Sequence, residues 1–147
     1  MRYEIMNRLH LAEISEMYVE AFNAPPWNDK WTVDLVTKRL SQMMNCEGFY
    51  GLLCFDNNEL CGMILGNHEV FFDCMHFNIK EFCVQLNFRE KGVGSALLQE
   101  FEAHLLERGI GQTYLFTSKT DKTETFYQNR DYKSWNNMVM MGKCLSE

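Results

Sequence analysis

The chain has 147 residues, of which 46% are hydrophobic and 23% charged. This predicts a single folded domain over residues 1–147 and excludes disorder as its main state. Lysine and arginine number 14 against 20 aspartates and glutamates, a net charge of −6 with no dense basic stripe, so nucleic acid is not the expected partner and a cationic or neutral one fits better.

Residues 2–7 (RYEIMN) predict a short strand. Leu11, Ile14, Met17, Tyr18, Ala21 and Phe22 then recur at helical spacing, and Pro25-Pro26 stops that helix, leaving a loop from Ala24 to Trp31 with two tryptophans. Thr32 is a good N-cap for a second helix, with Asp34 in its first turn and Val33, Val36, Leu40 and Met43 on one face. Three strand-like runs follow: Phe49 to Phe55, Leu60 to Gly66, and roughly Val70 to Leu86 with a break inside it. Asp56-Asn57-Asn58-Glu59 is a hairpin turn that makes the first two of them antiparallel neighbours. A long helix from about Gly92 to Arg108 presents Val93, Leu97, Leu98, Phe101 and Leu105 on one face, with Gly109 as its C-terminal cap. Thr113 to Thr117 reads as a strand, Lys122 to Asn129 as a short helix, and Tyr132 to Met141 as a final strand region whose apolar end could pair across a homodimer. The order predicts a mixed α/β (α+β) fold around one sheet, without the regular alternation of a doubly wound one.

Six cysteines, at 46, 54, 61, 74, 83 and 144, are expected as free thiols in a reducing cytoplasm, since a chain of this size needs no disulfide framework and shows no secretory leader. No C-x-x-C pair exists, and the histidines at 10, 68, 76 and 104 never reach H-x-x-x-H spacing, so no metal is expected. No apolar run approaches the ~20 residues of a membrane helix, so no membrane partner is expected.

Chemistry concentrates in Arg89-Glu90-Lys91-Gly92-Val93-Gly94-Ser95, between a strand ending near Leu86 and the helix opening near Gly92. Two glycines let the backbone approach a ligand, the first helical N–H groups point outward, and Arg89 and Lys91 flank them, which suits a pyrophosphate. The third glycine of G-x-G-x-x-G and the G-K-[ST] of a P-loop are both missing.

Arg89-x-x-Gly92-x-Gly94 resembles the R/Q-x-x-G-x-G/A signature of the GNAT superfamily of acetyl-CoA-dependent N-acetyltransferases. Glu81-Phe82-Cys83-Val84, Leu97-Leu98 and Phe126-Tyr127 agree with it along nearly the whole chain, and Asp131 stands where the family usually has a glycine before an aromatic, here Tyr132. The resemblance implies the GNAT fold, a mostly antiparallel mixed sheet splayed between two strands with helices on both faces. It also implies acetyl-CoA as cosubstrate, with the backbone of Phe82, Cys83 and Val84 pairing with the pantetheine arm, residues 89–95 holding the pyrophosphate, and Ser118 where an asparagine often contacts pantetheine. Glu81 is then the candidate general base. By alternation it shares a face with Ile79 and Cys83, where desolvation raises its pKa; the other reading is an exposed charge beside Lys80. Tyr127 is the candidate acid for the leaving thiolate, or else a core tyrosine beside Phe126. Cys83 has no histidine to activate it, so a buried hydrophobe and direct transfer in a ternary complex are expected in place of an acyl-enzyme.

For the acceptor, Trp27 and Trp31 lie on the loop where the resemblance places an acceptor wall, and Glu69, Asp73 and Glu81 are expected to form an acidic rim that draws in a small cationic amine. The branch resembled is that of aminoglycoside-acetyltransferase-like proteins. Peptide or protein N-acetylation, or a non-catalytic acyl-CoA-binding module, are the alternatives.

Overall fold

The structure, a computed structural model, describes residues 1–120 and 122–146. Its elements are β1 (Arg2–Ile5), α1 (Leu11–Asn23), α2 (Val33–Met44), β2 (Phe49–Asp56), β3 (Glu59–Val70), β4 (Met75–Val84), α3 (Val93–Glu107), β5 (Ile110–Leu115) and α4 (Thr123–Gln128). The chain packs as two units, Met1–Leu115 and Phe116–Glu147.

Within Met1–Leu115 the strands form one sheet in the order β1-β2-β3-β4-β5. The first four are antiparallel, and β5 joins β4 in parallel, a pairing that needs a crossover and receives α3. Leu53, Phe55, Met63, Leu65 and Cys83 face α1 and α2, packing with Ile14, Met17, Tyr18, Ala21, Val36 and Leu40. The alternate residues face α3, where the Phe101 ring stacks on Tyr50 at 5.8 Å and meets Phe77 edge-on at 5.4 Å.

The expected turns and caps are present. Asn57 and Asn58 take left-handed φ of 49° and 66° in the β2–β3 hairpin, and Thr32 Oγ1 accepts the Leu35 N–H at 3.2 Å to open α2. The α1–α2 loop is closed by Asn23, whose amide exchanges two 2.9 Å hydrogen bonds with the Trp31 backbone. Asp131 adopts φ 67°, as its place before Tyr132 requires.

Three expectations are corrected. The first strand ends at Ile5, because Asn7 caps a 3-10 turn over Arg8–His10 by accepting the Leu9 N–H at 2.8 Å. The strand expected at Thr113 to Thr117 spans Ile110–Leu115, starting as soon as Gly109 (φ 86°) has ended α3. Tyr132 to Met141 forms no strand among the described residues. Met138 to Met141 are 64–86% exposed, and the segment's backbone bonds are turns, from the Tyr132 N–H to Tyr127 O at 3.1 Å and from the Met138 N–H to Trp135 O at 3.2 Å. An apolar alternation proposes a strand, but only a neighbouring ladder makes one.

A further correction concerns the strand that carries chemistry. Leu65 pairs with Glu81 and Gly66 with Ile79, so Lys80 is an extra residue on β4. Such a bulge exchanges the faces on either side of it. Glu81 and Cys83 therefore look toward α1 and α2, whereas Phe77 and Ile79 look toward α3, and Glu81 does not share a face with Ile79.

Candidate active site

Glu81 is 7% exposed, and desolvation raises its pKa above the ordinary carboxylate range; Arg39 and Tyr18 pull the other way without cancelling it. All three donors end on Oε1: Arg39 Nη2 at 2.7 Å, Arg39 Nε at 2.9 Å and the Tyr18 hydroxyl at 3.1 Å. Burial first, and then the charge of Glu81, raises the Tyr18 pKa, so this phenol stays a donor. No described residue donates to Oε2, which leaves one carboxylate oxygen for a proton. Trp31 completes the cluster, its ring 5.6 Å from that of Tyr18 and beneath the Arg39 guanidinium at 5.6 Å. Arg39 and Tyr18 were not singled out as site residues from the sequence. The available signal was a lone arginine between Val36 and Leu40, at the margin of an apolar helix stripe.

Five residues past Glu81, Leu86–Phe88 makes one 3-10 turn and leads into the glycine segment. Glu90 (φ 61°) and Gly92 (φ 81°) turn the chain so that α3 starts at Val93, which is 4% exposed and anchors it. No side chain caps this helix. Its first internal bond runs from the Ala96 N–H to Gly92 O at 3.1 Å, so Val93, Gly94 and Ser95 precede the intrahelical ladder. Lys91 is exposed beside them. Arg89 is used differently from the expectation: its guanidinium donates to Ala21 O at 2.8 Å and Pro25 O at 3.1 Å and lies 5.3 Å from the Trp27 ring. It thus braces the end of α1 and the tryptophan loop. The β4–β5 ladder ends at Ile79 with Leu115, the last residue of β5, while β4 continues to Val84, so β5 does not pair with the segment holding Phe82, Cys83 and Val84. Cys83 is 6% exposed and burial raises its pKa, in keeping with a hydrophobic role.

Of the acceptor candidates, Trp31 gathers around Glu81, and Trp27 packs on Phe22 at 5.1 Å while staying 39% exposed. Glu69 and Asp73 are not brought to Glu81. Glu69 pairs with His76 where Glu81 pairs with Leu65, roughly 13 Å apart along the sheet, and Asp73 lies beyond in the β3–β4 turn. Between these levels sit register partners Asn67 and Asn78, whose buried Oδ1 atoms have no hydrogen-bond partner among the described residues. Asn67 is two residues from Leu65 on β3 and so shares its face with Glu81.

In Phe116–Glu147, Ser118 lies exposed ahead of α4. Tyr127 is on α4, its ring 5.1 Å from Phe126 and 5.6 Å from Tyr132, and burial pushes its phenol up to about 12.

A sequence model described as an acetyltransferase (GNAT) domain matches residues 12–143. The chain belongs to the GNAT acetyltransferase family. Its sheet and helices are those of the GNAT fold, and it is an N-acetyltransferase by family. Three solved structures share the fold with this GNAT domain. One is a possible acetyltransferase from Clostridium difficile 630, at TM-score 0.82 and 12% identity, covering 99% of this chain and 98% of that one. Another is a ribosomal-protein-alanine N-acetyltransferase from Brucella melitensis biovar Abortus 2308, at 0.77 and 10%, covering 98% and 100%. The third is the aminoglycoside acetyltransferase meta-AAC0020 from an uncultured soil metagenomic sample, in complex with sisomicin, at 0.74 and 14%, covering 99% and 96%. No curated protein gives a significant sequence match. Among the described residues, no helix of the GNAT domain is long and apolar enough to cross a membrane.

Proposed function

We propose that this protein moves an acetyl group from acetyl-CoA to the primary amine of a small cationic acceptor, by direct attack within a ternary complex. The observation that carries this reading is Glu81: a buried carboxylate held by one oxygen, leaving the other to receive a proton. An amine arrives protonated and attacks only after losing a proton, which Glu81 takes directly or through one water. Acetyl-CoA supplies the activated thioester. The N–H groups of Val93 and Gly94 at the start of α3 suit its pyrophosphate, with Ser95 next in the helix, and the β4 backbone past Ile79 suits its pantetheine.

Tyr127 is proposed to act on the leaving sulfur by hydrogen bonding. Handing a proton from a phenol near 12 to an alkyl thiolate near 8.5 runs uphill by about 5 kcal/mol, whereas donation to the developing charge is favourable throughout. Tyr127→Phe is therefore expected to lower kcat by about 10-fold while KM for both substrates holds, because the bond strengthens only as charge forms on sulfur. Equal kcat values from steady-state kinetics would return Tyr127 to packing.

Gly92→Val is expected to raise the Kd for CoA at least tenfold, measured by calorimetry. The left-handed backbone of residue 92 opposes a β-branched side chain, so the turn that aims the N–H groups shifts. An added Cβ meets nothing within 4 Å, so the helix itself should persist by circular dichroism. Unchanged affinity would overturn the pyrophosphate assignment.

Two features support a cationic acceptor: the net charge of −6 and Trp31 in the cluster around Glu81. Glu69 and Asp73 act on such a ligand through their field alone. Thiol release from acetyl-CoA across a panel of polyamines, aminoglycosides, amino acids and peptides tests this. Faster turnover of anionic or neutral amines at low salt, or of peptides, overturns the acceptor; no turnover with any amine overturns catalysis. The six free cysteines suit a reducing cytoplasm. A homodimer through the exposed Met138 to Met141 segment is proposed as well, and a monomeric mass in solution would dismiss it.

A further inference from the structure

The β3–β4 turn lies away from Glu81, and its side chains take no part in the proposed proton transfer or in holding acetyl-CoA. Asp73, Cys74 and His76 each present one ligand atom, a carboxylate oxygen, Sγ and an imidazole nitrogen, all within 4.8 Å of one another. We infer that this turn is a binding site for a thiophilic divalent cation of the zinc type, held by Asp73, Cys74 and His76 with water in the fourth position.

The ligand set is the argument for the ion. One thiolate, one imidazole and one carboxylate suit borderline metals, above all zinc, and do not suit magnesium or calcium, which require oxygen shells. Bonds of about 2.0–2.3 Å in a tetrahedral centre put neighbouring ligand atoms about 3.4 Å apart. His76 Nε2 and Asp73 Oδ1 are already 3.1 Å apart, and since all three ligand atoms lie within 4.8 Å of one another, closure on an ion shortens any of these separations by no more than about 1.4 Å.

The surroundings hold these side chains in place. The Phe71 ring stacks on the His76 imidazole at 4.1 Å with 13° between planes, fixing its orientation, and the Phe71 N–H closes the turn onto Cys74 O at 3.2 Å. His76 is 9% exposed, which keeps most of its ring from solvent. The Cys74 thiol sits against Gly111 of β5, where a Cβ would come within 2.8 Å of Sγ, so the absence of a side chain at 111 makes its seat. Glu69, opposite His76 in the ladder, adds negative charge on the same face. On binding, the Cys74 thiol proton passes to solvent and the S–H bond is replaced by a sulfur–metal bond, with no change of oxidation state.

The test uses the full chain with the exposed Cys46 and Cys144 replaced by serine, so that they cannot contribute thiolates. Addition of cobalt(II) should produce a near-ultraviolet thiolate-to-cobalt charge-transfer band saturating at one ion per chain, and zinc should displace it. Cys74→Ser should abolish the band, and Asp73→Asn, at an exposed position that leaves the fold intact, should weaken zinc binding about tenfold or more. A band that persists in Cys74→Ser, zinc affinity unchanged by Asp73→Asn, or no band at all would each overturn the site.

Discussion

Glu81→Gln should lower kcat by about 100-fold or more, and the loss should depend on pH in a way that a positioning defect would not. Burial raises the Glu81 pKa, so the wild-type rate climbs as pH rises through a value above the ordinary carboxylate range. The ratio of wild-type to variant rates should be greatest between that value and the pKa of the acceptor amine. Below this window wild-type Glu81 is itself protonated, and above it the amine arrives without its proton and needs no base. Profiles of kcat/KM against pH for the two proteins measure this, and a ratio flat across pH would reduce Glu81 to a partner of Arg39 and Tyr18. A stability measurement separates the roles further. A carboxyl whose folded pKa is raised contributes stability that is present below the unfolded value and lost as pH rises through the folded one. At neutral pH the charge therefore burdens the fold, and glutamine should leave Tm unchanged or higher. Arg39→Ala should act in the opposite sense, leaving Glu81 without its cation and moving the acid limb of the profile to higher pH. It should destabilise by about 2 kcal/mol, less than for a fully buried pair because Arg39 is 41% exposed.

The second large effect is expected at Gly66. A Cβ there would stand 1.9 Å from Asn78 O and 2.8 Å from the Phe77 ring, and the first of these is backbone held in the β3–β4 ladder. It cannot rotate away. Gly66→Ala should cost about 3 kcal/mol or more, at the upper end for overpacking, and the damage falls beside the bulge that turns Glu81 toward α1 and α2. Urea unfolding measures it, with Gly142→Ala, whose Cβ meets nothing within 4 Å, as the neutral control. A Gly66→Ala protein as stable as the control would show that β4 has freedom at the bulge, and that the face exchange at Lys80 is not rigidly imposed.

The residues legible in the sequence were those whose chemistry is local. Gly92 announces a helix start and Asn57-Asn58 a hairpin, because backbone preference decides both within a few residues. Glu81 was found through its place in a resemblance, but its setting was not. The ion pair with Arg39 spans 42 positions and the Tyr18 bond 63, and neither follows from helical or strand period. Strict alternation failed at Ile79 because one extra residue, Lys80, leaves no mark in composition. The Tyr132 to Met141 pattern promised a strand, since periodicity records which residues could be covered and not whether a neighbour covers them. Cysteine-pair and histidine-pair spacings both miss Asp73-Cys74-x-His76, a set that a turn brings together.

Arg89 joins regions that otherwise serve separate purposes. The proposed donor seat is drawn from consecutive chain, β4 through the start of α3, while the surroundings of Glu81 come from α1, the tryptophan loop and α2. On the proposed reading, insertions or substitutions between Ala24 and Arg39 would reshape the acceptor side without rebuilding the donor side. That stretch is bounded at one end by the Arg89 guanidinium strut to Ala21 and Pro25.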